Sequence, residues 1–122
     1  MSRSTHLVIK LTSGLEAPER VSQAFSVASA ALASGLAVSL WLTGEAAWFA
    51  LPGKAEEFVL AHAPSIADQL KVLLVVGTVT LCSQCAVRRE INVGDQIDGI
   101  AFAGAATFVE EITREHTQAL VY

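Results

Sequence analysis

The chain contains two cysteines, Cys82 and Cys85, which lie three residues apart. An apolar alternating run at 78–81 precedes them, and a helix-like stretch at 86–90 follows. This order predicts that Cys82 lies where a strand ends and a helix begins. At such a position, unpaired backbone N–H groups and the positive end of the helix dipole stabilise a thiolate. The sequence therefore indicates sulfur chemistry carried out by Cys82.

Arg88 and Arg89 follow Cys82 by a turn or more of the predicted helix and add positive potential. They either support a thiolate and steer an anionic sulfur species, or form an ordinary solvated helix end. A cysteine has an ordinary pKa of about 8.5, which such surroundings lower to roughly 3.5–7.5. The alternative for the cysteines is that both are buried and act only as small hydrophobic side chains.

The length of 122 residues predicts one domain, residues 1–122, with a proper core. The chain is 52% hydrophobic with a mean hydropathy of +0.49, and no charged residue occurs from 21 to 44. Serines and Gly35 interrupt this run, which favours a helix followed by a strand over a membrane span. A parallel sheet that is buried on both faces explains such apolar strands.

The net charge of −4 and the absence of a basic run longer than Arg88-Arg89 argue against nucleic-acid binding. Residues 1–10 lack the pattern of a signal peptide, which predicts a cytoplasmic protein with reduced thiols and no membrane partner. The loop between the cysteines is too small for a disulfide that would stabilise the fold. The pair therefore indicates a functional site.

The alternation of apolar runs and helical patterns predicts an α/β fold: a single three-layer α/β/α domain with a mainly parallel sheet of about five strands. For the segment 65–81, we prefer a helix over 65–76 to a buried strand at 72–76, because Ser65 can cap a helix. The predicted strands are 6–11, 36–42, 78–82, 98–103 and 118–122, and the predicted helical segments are 18–34, 46–51, 54–63, 65–76 and 104–115, with a turn at 43–45.

Polar residues follow the first two strands of this sheet. Ligands of open α/β sheets bind beyond the carboxyl ends of the strands, the rim that is also expected to carry Cys82. Glu16, Thr43 and Glu45, together with Arg89, are therefore candidate substrate-binding residues. The alternative is that they are solvated loop residues.

No nucleotide-binding motif occurs in the chain, and we predict no cofactor. The three histidines, His6, His62 and His116, lack metal-ligand spacing, and no metal site is predicted. Trp48 and Phe49 lie in the apolar segment 46–51, which one small domain is not expected to cover fully. An exposed apolar patch favours an interface, so we expect a homo-oligomer.

Several short segments, in order and at matching spacing, resemble the DsrE/DsrF-like family of small sulfur-relay proteins, which includes the TusD-like subunits. The resemblance covers essentially the whole chain. The segments that carry it are Thr12-Ser13-Gly14 with Glu16, the small-residue run 30–35, Leu42-Thr43-Gly44-Glu45-Ala46, Cys82 with Arg88-Arg89, and the run 103–109.

The resemblance implies a three-layer α/β/α domain that assembles into dimers, trimers or hexamers. It also implies that the cysteine at the position of Cys82 carries sulfur as a persulfide and passes it to another protein. The chain departs from the family pattern at Cys85, where a small residue is usual, and at Glu90, where glycine is usual. Cys85 can attack a persulfide on Cys82, release sulfide and leave a disulfide.

The predicted function is therefore sulfur handling, as a persulfide carrier or sulfurtransferase that works with donor and acceptor proteins. Cys82 is the predicted nucleophile, Cys85 a resolving thiol and Arg88 a supporting charge. One alternative is a thiol–disulfide redox protein that never carries sulfane sulfur. The other is a non-catalytic oligomeric binding module whose cysteines are merely packed. The exposure of Cys82 distinguishes the last alternative from the others.

Overall fold

A computed structural model describes residues 3–122 and contains one five-stranded sheet in which every neighbouring pair of strands is parallel. Residues 1 and 2 of the predicted domain lie outside the described part. The strands, in chain order, are β1 (His6–Leu11), β2 (Ala37–Leu42), β3 (Thr78–Cys82), β4 (Ala101–Ala103) and β5 (Thr117–Val121). Their order in the sheet is β4-β3-β2-β1-β5, and the predicted α/β fold with a parallel sheet is confirmed.

The first helix, α1 (Pro18–Ala33), begins and ends close to the predicted residues. Proline suits the first turn of a helix because its missing N–H would have no partner there. At the other end, Gly35 has a φ of +85°. The Gly35 N–H donates to the carbonyl of Leu32, and the Leu36 N–H donates to that of Ala31. This pair of bonds is a Schellman motif, which satisfies carbonyls at the helix end.

The ambiguous segment before β3 is a helix, α2 (Ile66–Val76). The side chain of Ser65 accepts a hydrogen bond from the Asp68 N–H at 3.2 Å and caps the helix. Ile66, Leu70 and Leu73 are buried at helical spacing. The prediction of a helix over 65–76 is confirmed, and the alternative of a buried strand at 72–76 is wrong.

The two faces of the sheet differ in composition. One face carries the main hydrophobic core, in which residues such as Ile9 and Leu40 pack with Phe25 of α1. The strand register pairs Lys10 with Trp41, and Trp41 with Thr80. Because side chains alternate along a strand, these residues lie on the opposite face, and so does Cys82. On that face Phe108 of a further helix, α4 (Ala105–Ile112), packs edge-on against Trp41.

Four predicted segments differ from the structure. The predicted helical piece at 54–63 is reduced to a single 3₁₀ turn, Ala55–Glu57, because the backbone becomes extended at Phe58 (ψ 129°) and His62 has a φ of +60°, outside the helical region. The segment predicted as a turn at 43–45 is mostly helical, because the following 3₁₀ helix already begins at Gly44 (Gly44–Ala50). The strand at 98–103 and the helix at 104–115 are both shorter than predicted. Gly99 has a φ of +97°, outside the strand region, and the Thr113 hydroxyl donates to the Val109 carbonyl where α4 ends.

The apolar segment at 46–51 is better covered than expected. Phe49 is only 2% exposed and three alanines beside it are buried, so only Trp48 and Leu51 keep partial exposure. The prediction of an exposed patch here is wrong for Phe49, because the 3₁₀ helix turns that ring into the core. Among the large apolar side chains of residues 3–122, the most exposed is Val75 of α2, at 86%. Self-association stays a prediction.

Among residues 3–122, no helix combines the length and the apolar character that crossing a bilayer requires.

Candidate functional site

Cys82 lies at the junction that the sequence predicts. It is the last residue of β3 and the residue that precedes a short helix, α3 (Ser83–Arg88). Its backbone is extended, with φ −61° and ψ 121°, so the chain changes from strand to helix directly after it. The side chain is half-buried. A thiol in this position reaches solvent and also faces the first turn of the helix.

Cys85 lies one turn further on and is buried, with 8% of its surface exposed. The Gly44 N–H donates a hydrogen bond to its sulfur, with an N–Sγ distance of 3.2 Å. Its carbonyl accepts a bond from Nη1 of Arg89 at 3.1 Å. The Cys85 side chain is itself hydrogen-bonded to Cys82. The two thiols are therefore in contact, and the Gly44 N–H from another segment and Arg89 at the end of the same helix hold the inner residue in place.

The surroundings lower the pKa of Cys82 below its ordinary value. Partial burial is the largest single cause and raises the pKa, because it disfavours the charged thiolate. Hydrogen bonds from the backbone and side chain of Cys85 and from the backbone of Gln84 lower the pKa, and so does the charge of Lys10. Together these groups outweigh the burial. The nearby cation that contributes is thus Lys10, which the sequence analysis did not single out.

This pKa gives a prediction for alkylation by iodoacetamide, since the thiolate is the reacting species. Cys82 should be labelled before Cys85, and the rate should reach half its maximum at a lower pH than for an ordinary cysteine thiol. Replacing Cys85 with alanine removes a donor to the thiolate. The pKa of Cys82 should then rise, and the midpoint should move to higher pH.

The measurement is the initial labelling rate of each cysteine, followed by mass spectrometry across a pH series. An unchanged midpoint in the Cys85→Ala variant, or faster labelling of Cys85 in the wild type, would contradict the arrangement.

The Cys82 thiol opens into a cavity of about 500 Å³ at the carboxyl ends of β1, β2 and β3. Two of the other predicted site residues, Thr43 and Arg88, line it together with Cys85. The Thr43 hydroxyl donates to the Leu11 carbonyl at 3.0 Å and so ties β2 to β1 beneath the cavity. The remaining lining residues are Lys10, Thr12, Trp41, Gly44, Gln84, Gly104, Ala105, Phe108 and Val109.

An aromatic pair forms one side of this cavity. The rings of Trp41 and Phe108 have centroids 5.2 Å apart and an interplanar angle of 84°. The ammonium group of Lys10 lies 5.1 Å from the centroid of the Phe108 ring, which is a cation–π contact. Trp41 is 2% exposed, and its indole nitrogen has no hydrogen-bond partner among the described residues. The cavity therefore combines the half-buried Cys82 thiol, the cations of Lys10 and Arg88, and a largely apolar wall.

The other predicted substrate-binding residues lie elsewhere. Glu16 and Glu45 line a second cavity, of about 360 Å³, with Trp48 and Lys54 among its other residues. The carboxylate of Glu16 accepts the Gly14 N–H through both oxygens, at 2.9 and 3.0 Å. It thereby orders its own loop.

Arg89 also turns away from the thiols. Its Nη2 lies 2.7 Å from Oε2 of Glu45, and the two side chains form an ion pair. Arg89 thus connects α3 to the second cavity, while Arg88 lines the first. The structure brings Cys82, Cys85, Thr43 and Arg88 together and separates Glu16 and Glu45 from them. Within residues 3–122, no three side chains of His, Cys, Asp or Glu converge as a metal site would require.

Sequence reasoning missed Lys10, Trp41 and Phe108 as parts of the cavity. Lys10 gave a usable signal, because it is the one charged side chain in the otherwise apolar end of β1. Trp41 and Phe108 gave none, since aromatic residues in a strand or an amphipathic helix are ordinary core residues.

Comparisons with known proteins agree with the fold. The family model of the DsrE/DsrF-like family matches residues 6–118. The ychN protein from E. coli has a similar structure, with a TM-score of 0.76 and 20% identity, over 97% of this chain and 99% of that one. MTH1491 from Methanobacterium thermoautotrophicum, a protein of unknown function, has a TM-score of 0.61 and 12% identity, over 96% of this chain and 98% of that one. No curated protein sequence shows significant similarity to the chain.

Proposed function

The chain belongs to the DsrE/DsrF-like family, which is associated with sulfur relay, and from this membership we propose that it accepts sulfane sulfur on Cys82 as a persulfide and passes it to a thiol acceptor. The observation that carries the proposal is the Cys82 thiol, which is half-buried, has a lowered pKa and opens into the 500 Å³ cavity. A thiol that ionises more readily than an ordinary cysteine and has access to a small pocket favours attack on sulfane sulfur, because the thiolate is the nucleophile.

The proposed chemistry has two steps. The Cys82 thiolate attacks the sulfane sulfur of a donor, so that a new S–S bond forms at Cys82 while the donor's bond to that sulfur breaks. The donor group leaves with the electron pair. An acceptor thiolate then attacks the outer sulfur of the persulfide, and the Cys82 thiolate leaves. Neither step needs an external oxidant or reductant.

A persulfide on Cys82 can also react with Cys85. Its thiol contacts Cys82 and is shielded from solvent, so it can reach the inner sulfur of the persulfide when larger thiols cannot. Attack there forms a disulfide between Cys82 and Cys85 and releases the outer sulfur as hydrosulfide. This reaction is a thiol–disulfide exchange within one helical turn. We propose Cys85 as the resolving thiol, and Arg88 as a supporting charge on the cavity wall.

The test is the lifetime of the sulfur adduct after a short exposure to a sulfane donor. Wild-type protein should gain one sulfur atom on Cys82 and then lose it as the disulfide forms. Cys85→Ala should keep the adduct several times longer, because the internal attack is gone. Equal lifetimes in the two proteins would exclude Cys85 as the resolving thiol, and no adduct in either protein would contradict the proposal.

The contact between the two thiols also favours a second candidate, a thiol–disulfide redox protein. In that case a small-molecule disulfide should oxidise wild-type protein to the intramolecular disulfide, with transfer of two hydrogens to the reagent, which leaves as two thiols, and a sulfane donor should add no sulfur. The same mass measurement separates the two candidates. The third alternative, packed cysteines in a binding module, gains no support, because Cys82 is half-buried and lines a cavity. Donor and acceptor proteins and a homo-oligomeric state stay predictions.

A further inference from the structure

The charge of the Cys82 cavity is opposite to that of the protein as a whole. The chain has 12 acidic and 8 basic side chains, for a net charge of −4. The residues that line the cavity nevertheless include two cations, Lys10 and Arg88, and no carboxylate. A cation beside a reactive thiolate attracts anions as well as lowering the pKa of the thiol.

Neither cation is neutralised by a neighbour. The other basic side chains near carboxylates form ion pairs, as Arg89 does with Glu45 and Lys54 with Glu57. In the described part of the chain, Lys10 and Arg88 form no ion pair with any carboxylate. The ring of Phe108 that contacts Lys10 supplies no negative charge to cancel it. Both charges are therefore available to a ligand.

The neighbouring cavity shows that this positive character is local. It is lined by three carboxylates, those of Glu16, Glu45 and Glu57, and by one lysine, Lys54. An anion is favoured on the thiol side and disfavoured on the other. Glu45 on the wall of this second cavity forms the ion pair with Arg89.

We propose that the sulfur donor of this site is a small anion of the thiosulfonate class, in which sulfane sulfur is bonded to an oxidised sulfur that carries charged oxygens. Lys10 and Arg88 bind the oxygens, and Cys82 faces the sulfane sulfur. The inference rests on the proposed function and adds the substrate class to it. A volume of about 500 Å³ admits such a molecule with room to spare.

Thiosulfate is the simplest member of the class and gives a balanced reaction. The Cys82 thiolate attacks the outer sulfur, and a new S–S bond forms at Cys82. The bond between the outer sulfur and the sulfonate sulfur breaks, and sulfite leaves with the electron pair. The total charge is the same before and after. Lys10 and Arg88 stabilise the charge on the leaving sulfite, which is the electrostatic part of the catalysis.

The first experiment measures the local charge with two alkyl methanethiosulfonates, one ending in a sulfonate and one in a trimethylammonium group. Cys85→Ala protein is used, so that Cys82 is the only thiol. At low salt, the ratio of the anionic reagent's rate to the cationic reagent's rate should be roughly tenfold higher for Cys82 than for a small free thiol. Added salt should reduce that preference. Equal relative rates for the two reagents would overturn the inference.

Single substitutions test which residues cause the preference for the anionic reagent. Lys10→Gln and Arg88→Gln, each in the Cys85→Ala background, should lower the preference for the anionic reagent several-fold, and should slow persulfide formation from thiosulfate. Lys71→Gln is the matched control, since it removes one positive charge from an exposed site on α2, away from the cavity. An equal effect of Lys71→Gln would mean that net charge, and not the cavity, sets the preference, and would overturn the inference.

The two proposals fail in different ways. If Cys82 gains no sulfur from any sulfane donor while the charge preference persists, the proposed function fails and the anion site stands. If Cys82 gains sulfur readily from uncharged donors and thiosulfate shows no dependence on Lys10 or Arg88, the proposed function stands and the substrate class is wrong.

Discussion

Replacing Cys82 with alanine is expected to abolish sulfur uptake from a sulfane donor, with a fall in rate of roughly 10³-fold or more. The variant loses the half-buried thiol with the lowered pKa, whereas Cys85, the other thiol on the cavity wall, is buried and its sulfur already accepts the Gly44 N–H. Protein-bound sulfane sulfur, measured by its conversion to thiocyanate with cyanide, gives the rate. Cys85→Ala is the matched control, since it removes the other thiol and should keep the uptake.

The Cys82→Ala variant should also stay folded, because Cys82 is half-buried and alanine leaves only a small gap. A denaturant titration should therefore show a change in stability within about 1 kcal/mol. Uptake that survives in Cys82→Ala and disappears in Cys85→Ala would reverse the roles assigned to the two cysteines.

Of the substitutions proposed for this protein, Gly44→Ala is expected to lower the free energy of unfolding most. Gly44 has a φ of +53°, a conformation that costs other residues about 1–2 kcal/mol. A Cβ atom there would also lie 2.6 Å from the Thr12 carbonyl oxygen, which belongs to the backbone and has little room to move. We expect a total loss of roughly 2–4 kcal/mol in the free energy of unfolding, in the range of severe single substitutions.

Gly53→Ala is the control for this substitution. Gly53 has a φ of +84°, but an added Cβ would meet nothing within 4 Å, so only the conformational cost of about 1–2 kcal/mol should appear. Denaturant titrations of both variants give the comparison. Gly44→Ala should further raise the alkylation midpoint of Cys82, because a displaced Gly44 N–H no longer holds Cys85. Equal losses of stability in the two variants would argue against the close contact at Gly44.

The place of Cys82 could be predicted because its signals are local. An alternating apolar run ending at the cysteine specifies β3, and the residues that follow favour a helix. A few adjacent residues therefore determine the junction between β3 and α3. Similarly, Ser65 and Asp68 specify the start of α2, and Gly35 specifies the end of α1, without any knowledge of the tertiary structure.

The composition of the cavity could not be predicted in the same way. Glu16 and Glu45 follow strands at the expected rim, but which cavity each side chain enters depends on loop geometry and on the ion pair with Arg89. Lys10 reaches the thiol side only because the register of β1 and β2 puts it on the same face as Trp41. Sequence periodicity does not reveal that register. The burial of Phe49 depends likewise on tertiary packing and not on its neighbours along the chain.

Sulfur bound at Cys82 is the central expectation for this protein, and one measurement tests it most directly. Cys85→Ala protein, which cannot resolve a persulfide internally, is exposed to thiosulfate, and its intact mass is measured before and after a thiol reductant. The predicted result is the gain of one sulfur atom, located by peptide mapping to the segment with Cys82 and removed by the reductant. An unchanged mass under conditions in which iodoacetamide still alkylates Cys82, obtained also with an uncharged sulfane donor, would contradict the account.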